Sequence, residues 1–164
     1  MSRPIVIDSQ AFGLDGGLLQ GELLVASLTR LHDLLTDSSG AVVYRIEGRV
    51  GPRHRPQWVV DVAGVLFLCC QRCLETLAYP LAVHSLLEFV DDDADLTQEE
   101  LEDDSRDFLP NQKALDVAVL IEDEILLALP TVLRHDGCVL PGSGGESAKV
   151  SRFSVLAGLQ GKAE

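Results

Sequence analysis

The chain has 164 residues, of which 46% are hydrophobic and 24% are charged, so it has the size and composition of one globular domain and not those of a disordered protein. It contains no apolar run of the roughly 18 residues that a membrane span requires, and its N-terminus lacks the apolar stretch of a secretion signal, which together predict a cytoplasmic protein. The net charge of −13 disfavours a protein that binds nucleic acid through a broadly basic surface.

The first half of the chain contains the patterns of one helix and three strands. Leucines that recur at helical spacing predict an amphipathic helix at about residues 22–36. Alternation of apolar and polar residues over 41–50, and a β-branched and aromatic run over 58–68, predict two strands that form an antiparallel hairpin. A third strand is expected at 77–89, where Pro80 favours an edge position or a bulge.

A dense acidic segment follows the third predicted strand. Eleven acidic residues and one arginine lie between residues 88 and 107, so this stretch carries −10 of the net charge of −13. Such a stretch repels itself and has little to bury, which predicts a mobile loop at about 90–107. The loop either serves solubility alone, imitates nucleic acid, or docks a basic partner. The residues expected to contact a partner are Asp91, Asp92, Asp93, Asp103 and Asp104.

The last third of the chain is predicted to contain a second helix and a linker. Asp116 can cap a helix at about 116–129, which must end before Pro130. Its expected core stripe is Val117, Leu120, Ile121, Ile125 and Ala128. A Gly- and Ser-rich linker is expected at about 137–150, and the run at 153–159 is long enough for two helical turns.

These elements predict the fold class α+β. We expect one domain over residues 1–164, with a small antiparallel sheet that can curl towards a barrel and is packed by two or three helices. The order of the strands in the sheet does not follow from the sequence.

Two short motifs contain cysteine and histidine at the spacing of metal ligands. In Cys70-x-x-Cys73 both thiolates can lie on one side of a tight turn, and His135-x-x-Cys138 repeats that spacing downstream. Cys69 is expected to lie on the opposite face as a small buried residue. The pattern is compatible with a structural zinc site, with unmetallated thiols in a turn, or with thiol-redox chemistry. Because the residues after Cys73 have the pattern of a strand, a thioredoxin-like motif at the start of a helix is disfavoured.

Three consecutive carboxylates lie on the second predicted helix. Side chains of Glu122, Asp123 and Glu124 project about 100° apart around a helix, so they cannot converge on one reacting atom. We expect them to form a solvated face near the helix C-terminus, beside a cation such as Arg134 or a hairpin arginine.

The basic residues of the chain gather at the predicted hairpin. If RNA is bound directly, the expected contacts are the four arginines, with Trp58 as a stacking aromatic; otherwise this is a solvated hairpin tip. The four arginines are Arg45, Arg49, Arg53 and Arg55. The sequence has no P-loop, dinucleotide-binding glycine motif, nucleophile elbow or HExxH helix, so we expect no enzymatic activity.

Four features occur in order along residues 40–160. They are Cys70-Gln71-Arg72-Cys73-Leu74 after an apolar strand, the acidic segment, the run from Ile121 to Pro130 that contains Glu122, Asp123 and Glu124 and leads to His135 and Cys138, and the run Phe153 to Leu159. Together they resemble the YceD family, the large ribosomal RNA subunit accumulation proteins. The chain departs from the family pattern where Ser151-Arg152 stand in place of Asn-Pro, and where Gln160 stands in place of lysine.

The resemblance implies a non-enzymatic ribosome biogenesis factor that supports synthesis, processing or accumulation of 23S ribosomal RNA. Its implied partners are precursor RNA of the large subunit, a basic large-subunit ribosomal protein, or both, and no small-molecule substrate or membrane. The residues alone leave a second hypothesis open. This is a thiol-redox or zinc-sensing regulatory module that uses Cys70 and Cys73.

Overall fold

The computed structural model describes residues 4–92 and 96–140, which form a six-stranded sheet, a two-stranded sheet and three α-helices. In chain order the elements are β1 (Val6–Ile7), α1 (Ser9–Leu14), β2 (Leu18–Leu24), β3 (Leu35–Asp37), β4 (Ala41–Val50), β5 (Pro56–Cys69), β6 (Thr76–Val90), α2 (Gln98–Leu101), β7 (Asp107–Pro110), β8 (Leu115–Asp116) and α3 (Val117–Ala128). The predicted linker from residue 141 onward and the predicted turns at 153–159 lie outside the described residues, as does Asp93.

An antiparallel meander of β4, β5 and β6 forms the centre of the larger sheet. Tyr44 lies opposite Val62, which in turn lies opposite Val83, and all three side chains are buried. Residues on alternate positions of β4 are buried and exposed, as its sequence pattern predicts. At Pro80, β6 is paired only with β5 among the described strands, so this proline occupies the predicted edge position.

The predicted helix at 22–36 is wrong. Residues 18–24 form β2, which pairs antiparallel with β4, and the chain then makes two short 3-10 turns before β3. Val25, Leu28 and Leu31 lie three residues apart and are all buried in the core. Leucines spaced three and four residues apart suit a 3-10 turn as well as an α-helix, and the pairing with β4 satisfies the backbone of the segment as a strand.

The helix α3 follows its prediction closely. The Asp116 side chain accepts hydrogen bonds from the backbone N–H groups of Ala118 and Val119, and the helix ends two residues before Pro130. Four residues of the predicted core stripe are buried, but Ala128, the last residue of the helix, is exposed.

Trp58 lies at the centre of the core. Its ring packs against the rings of Phe12 and Phe89, each with a centroid distance of 4.9 Å, and its Nε1–H donates to the backbone oxygen of Ser9 over 3.1 Å. Since Trp58 is completely buried, the predicted role of this ring in stacking on RNA bases is wrong.

The acidic segment is not one continuous loop. Thr97 caps α2 through a reciprocal pair of hydrogen bonds with Glu100, and β7 then pairs parallel to the end of β6.

The fold is α+β and consists mostly of sheet. Its larger sheet has β2 and β7 at its two ends and does not close into a barrel. Within the described residues, no helix has the length and apolar character needed to cross a membrane.

Candidate metal centre and charged clusters

Cys70, Cys73, His135 and Cys138 lie together at one end of the larger sheet. One ligand atom from each residue lies within 4.8 Å of the others. The Sγ atoms of Cys70 and Cys138 are 3.6 Å apart, and Cys73 Sγ lies 3.3 Å from His135 Nδ1. A tetrahedral zinc ion with bonds of about 2.0–2.3 Å has ligand atoms roughly 3.3–3.8 Å apart, so this group has the size and the donor set of such a site.

A tight turn between β5 and β6 positions the first pair of cysteines. The backbone N–H of Cys70 donates to the oxygen of Glu75, and the N–H of Leu74 donates to the oxygen of Cys70, each over 2.9 Å. Leu74 closes the turn with φ at 65°, in the left-handed region. Both thiols of Cys70 and Cys73 therefore face the same side of the turn. Cys69 belongs to β5 and lies outside the group of four, and it is half-buried where the sequence predicted a buried residue.

The chain that follows α3 is held against this turn by hydrogen bonds to its backbone oxygens. Gln71 donates its backbone N–H to the oxygen of Leu133 over 2.9 Å and its side-chain Nε2 to the oxygen of Thr131 over 3.2 Å. Arg72 Nη1 donates to the oxygen of Cys138 over 3.0 Å. Gln71 and Arg72 thus position the second half of the metal-ligand group, although the two halves are separated by about sixty residues of sequence.

A hydrogen bond at the second nitrogen of His135 orients its ring. His135 Nε2 lies 3.1 Å from the backbone oxygen of Thr76, which can only accept a hydrogen bond. Nε2 can therefore donate to this oxygen, and Nδ1, which lies 3.3 Å from Cys73 Sγ, is the nitrogen that faces the group of thiols. This is the arrangement in which a neutral imidazole binds a metal through one nitrogen and is oriented through the other.

The thiols of the group differ in acidity. Hydrogen bonds from the backbone N–H groups of Cys73 and Arg72 stabilise the thiolate of Cys70 and lower the pKa of this thiol to about 5. At Cys73 a hydrogen bond from the Glu75 amide lowers the pKa, but burial and the neighbouring thiols of Cys70 and Cys138 outweigh it, so the pKa of Cys73 is raised. One thiolate is thus present at neutral pH, and a cation in the group would favour ionisation of the others.

The α3 carboxylates do not form a solvated face. Glu122 is buried and accepts two hydrogen bonds from Arg30, one from the backbone N–H at 2.6 Å and one from Nε at 3.1 Å. Asp123 pairs with the same guanidinium. The predicted cation was Arg134 or a hairpin arginine, and the structure places Arg30 there. Arg30 lies in the segment that the sequence pattern assigned to a helix, so no local signal pointed to this contact.

Glu124 is buried on the other side of α3. Burial raises the pKa of its carboxyl, a hydrogen bond with Ser85 partly offsets this effect, and the negative charges of Asp107 and Asp123 raise the pKa further. The expectation that Glu124 is solvated is wrong because this side of the helix packs against β6.

Glu88, on β6, is completely buried within a group of cationic and amide side chains. Its two oxygens accept from Arg55 Nη1 and Arg106 Nη1, each at 3.1 Å, and Gln57 Nε2 donates to it at 2.6 Å. Arg49 Nε in turn donates to Gln57 Oε1 over 3.1 Å. Two of the predicted RNA-binding arginines are therefore connected to this buried carboxylate.

The acidic segment reaches the other arginines of the hairpin. The carboxylate of Glu100 lies 3.2 Å from Arg53 Nη1 and 3.0 Å from Arg55 Nη1. The pKa of Glu100 is lowered, mainly because the backbone N–H of Thr97 donates a hydrogen bond to the carboxylate, and the positive charges of the two arginines lower it further. Arg45 pairs with Glu47 on the exposed face of β4 over 2.9 Å. The structure thus places acidic or amide partners beside all four predicted RNA-binding arginines.

The aspartates predicted to contact a partner have different surroundings. Asp91, Asp92 and Asp104 are exposed, and Asp91 accepts a hydrogen bond from Asn111 Nδ2 over 2.8 Å. Asp103 accepts hydrogen bonds from Ser105 and pairs with Arg106 over 3.2 Å, and these contacts lower the pKa of its carboxyl.

Comparison with known proteins gives one family match. Residues 59–160, more than half of the chain, match the family model described as large ribosomal RNA subunit accumulation protein YceD. The matched range contains the metal-ligand group, the acidic segment and α3. The searches of curated proteins and of solved structures gave no match.

Proposed function

This chain belongs to the YceD family, and from that premise we propose that it is a non-enzymatic ribosome biogenesis factor that supports the accumulation of 23S ribosomal RNA in the cytoplasm. The observation that carries the proposal is the family match over residues 59–160. The contacts of the α3 carboxylates support a non-catalytic role, because these groups have structural partners. Glu122 and Asp123 bind Arg30, and Glu124 is buried against β6.

A basic large-subunit ribosomal protein is the favoured partner. The net charge of −13 attracts a basic protein and repels a phosphate backbone at long range. The arginines that would bind precursor RNA directly are already beside Glu88, Glu100 and Glu47, which reduces the positive potential of the hairpin. Contact with precursor RNA through these arginines is therefore the second candidate, and it requires their carboxylate partners to be displaced.

For the metal-ligand group we propose a structural zinc ion held by Cys70, Cys73, His135 and Cys138. Three thiolates and a neutral imidazole would carry a net charge of −1 around the ion, and Arg72 lies beside the group through its hydrogen bond to Cys138. When bound, zinc would crosslink the β5–β6 turn to the chain after α3. The residues on both sides already meet through Gln71, so the ion would stabilise a contact and not create one.

A thiol-redox module is the alternative function. The lowered pKa of Cys70 favours a reactive thiolate, and the Sγ of Cys138 lies 3.6 Å away as a second thiol. The position of the motif argues against this function, because the turn joins two antiparallel strands and does not start a helix. The two functions differ in the outcome of Cys70→Ser. A redox module should lose its activity with the fold nearly intact, whereas a structural site should lose stability first.

The deciding experiment is depletion of the protein in its source organism, with 23S and 16S ribosomal RNA measured in the same cells. We expect the ratio of 23S to 16S RNA and the large-subunit peak in a sucrose gradient to fall, and a wild-type copy to restore both. The 16S RNA is the internal control, since a general defect in transcription lowers both RNAs. An unchanged ratio after complete depletion would contradict the proposed function.

A further inference from the structure

A groove with a volume of about 760 Å³ separates β7 from α3. Its floor is apolar and is formed by leucines from β6, β7, the strand before α3 and α3 itself, which are Leu87, Leu109, Leu115 and Leu120. Cavities that bind the side chains of a ligand or peptide have volumes of about 300–1,000 Å³, so the groove is large enough to take more than one side chain.

Carboxylates line the groove, and two of them have no ion pair with a lysine or arginine among the described residues. Asp107, Asp123 and Glu124 all contribute to its wall. Asp123 is paired with Arg30, but among residues 4–92 and 96–140 no lysine or arginine forms an ion pair with Asp107 or Glu124. A cation brought by a partner would lie near two carboxylates here. One of them, Glu124, is buried, and an interaction between charges is stronger in such low-dielectric surroundings than in water.

The groove is open to an extended chain on the strand side. β7 is the last strand of the larger sheet, and in the part of the chain that the structure describes no strand pairs with its outer edge. On the helix side, Val119 and Leu127 expose 49% and 78% of their surface. An extended segment can add to such an edge through backbone hydrogen bonds while its alternate side chains enter the groove.

We propose that this groove binds an extended segment of a basic protein, in which a lysine or arginine meets Asp107 and Glu124 and a neighbouring apolar side chain packs on the leucine floor. Charge complementarity favours this occupant, because the carboxylates attract a basic protein and repel the phosphates of nucleic acid. The outer edge of β7 can form backbone hydrogen bonds only with another polypeptide segment. The inference rests on the proposed function in one respect: it takes a large-subunit ribosomal protein as the source of the segment.

The test uses the full-length protein and an array of overlapping 15-residue peptides from all large-subunit ribosomal proteins of the source organism. We expect bound peptides to contain a lysine or arginine next to apolar residues. Asp107→Lys places a cation of the chain's own beside Glu124, and it should weaken the best peptide at least 10-fold. The matched control is Glu22→Lys, which makes the same charge change at an exposed position on β2, at the opposite end of the sheet, and should leave the affinity unchanged.

Three results of the binding experiment would overturn the inference. They are the absence of any peptide binding to the wild type, equal loss of affinity in Asp107→Lys and Glu22→Lys, and self-association of the wild type that Asp107→Lys abolishes, which would assign the groove to a second copy of this chain. Failure of the groove can be told from failure of the proposed function by measuring 23S RNA in cells. If Asp107→Lys restores 23S RNA as well as the wild type does, only the groove is wrong. If the wild type itself has no effect on 23S RNA, the proposed function is wrong whatever peptides bind.

Discussion

Arg30 binds Glu122 with both its backbone and its side chain, although 92 residues separate the two in the sequence. The backbone N–H donates to one carboxylate oxygen at 2.6 Å, and Nε donates to the other at 3.1 Å. Because Glu122 is buried, its loss leaves the backbone N–H and the Nε–H of Arg30 without this acceptor, while Asp123 still pairs with the guanidinium. We expect Glu122→Ala to lower the free energy of unfolding by about 1–3 kcal/mol in a denaturant titration.

Glu47→Ala is the control for that substitution. Glu47 pairs with Arg45, but both side chains are half-exposed on the surface of β4. We expect the free energy of unfolding to change by less than about 0.5 kcal/mol. Equal effects of Glu47→Ala and Glu122→Ala would contradict the structural role assigned to Glu122.

Removal of metal should destabilise the protein if the four clustered ligands hold zinc. We expect one zinc ion per chain in the purified protein, and loss of it after treatment with a chelator or in Cys73→Ser. The thermal midpoint should then fall by about 5 °C or more, since each kcal/mol of stability shifts it by about 2–4 °C in a domain of this size. Cys69→Ser is the control, because this neighbouring thiol lies outside the group of four. A Cys73→Ser protein with a full zinc content would refute the assignment.

Leu74 occupies a backbone conformation that suits glycine. Its φ is 65° and its surface is 68% exposed, so the side chain contributes little to the core while the turn requires a left-handed residue. We expect Leu74→Gly to raise the free energy of unfolding by up to about 1 kcal/mol, and Leu74→Val to lower it by about 1 kcal/mol, because a β-branched residue tolerates positive φ poorly. Thermal melts of the two variants should move in opposite directions, and a shift in the same direction would contradict this account of the turn.

Glu88 forms ion pairs with two arginines inside the protein. Replacement by glutamine keeps the size of the side chain but leaves Arg55 and Arg106 without the buried negative charge. We expect Glu88→Gln to cost about 3 kcal/mol in equilibrium unfolding, the range found when one member of a buried ion pair is removed. Glu99→Gln, on the exposed face of α2, should change stability by less than about 0.5 kcal/mol and serves as the control. A Glu88→Gln protein as stable as the wild type would show that the network adds nothing to stability.

The raised pKa of Glu124 gives a pH-dependent prediction. Its pKa in the folded protein lies above the ordinary value of 4.5 for a glutamate side chain, so the folded state binds this proton more tightly than the unfolded state does. The contribution of this carboxyl to the free energy of unfolding is fully present below pH 4.5 and is lost as the pH rises through the pKa of the folded state. Glu124→Gln should therefore be more stable than the wild type at pH 7, and the difference should shrink towards zero at about pH 4. Denaturant titrations at both pH values test this. A constant difference, or none, would contradict it, and Glu22→Gln should match the wild type throughout.

The sequence by itself predicted the elements whose signals are local. Apolar and polar residues alternate along β4 because one face of the strand is buried. The start of α3 depends on the capping residue Asp116, and its end depends on Pro130. Residues close together in the sequence are therefore enough to predict both elements. The spacing of the two Cys and His motifs is local in the same sense. It named all four members of the metal-ligand group, although it did not place the two motifs beside each other in space.

Only the tertiary structure decided the rest, because the deciding contacts join distant parts of the chain. Residues 18–24 became a strand because β4 offered a backbone edge, which leucine spacing cannot report. Glu122 was buried because Arg30 lay opposite it, and the hairpin arginines met carboxylates such as Glu88 because of the way β5 pairs with β6. Charge composition is fixed by the sequence, but which charges are neutralised depends on which side chains the fold brings within a few ångströms.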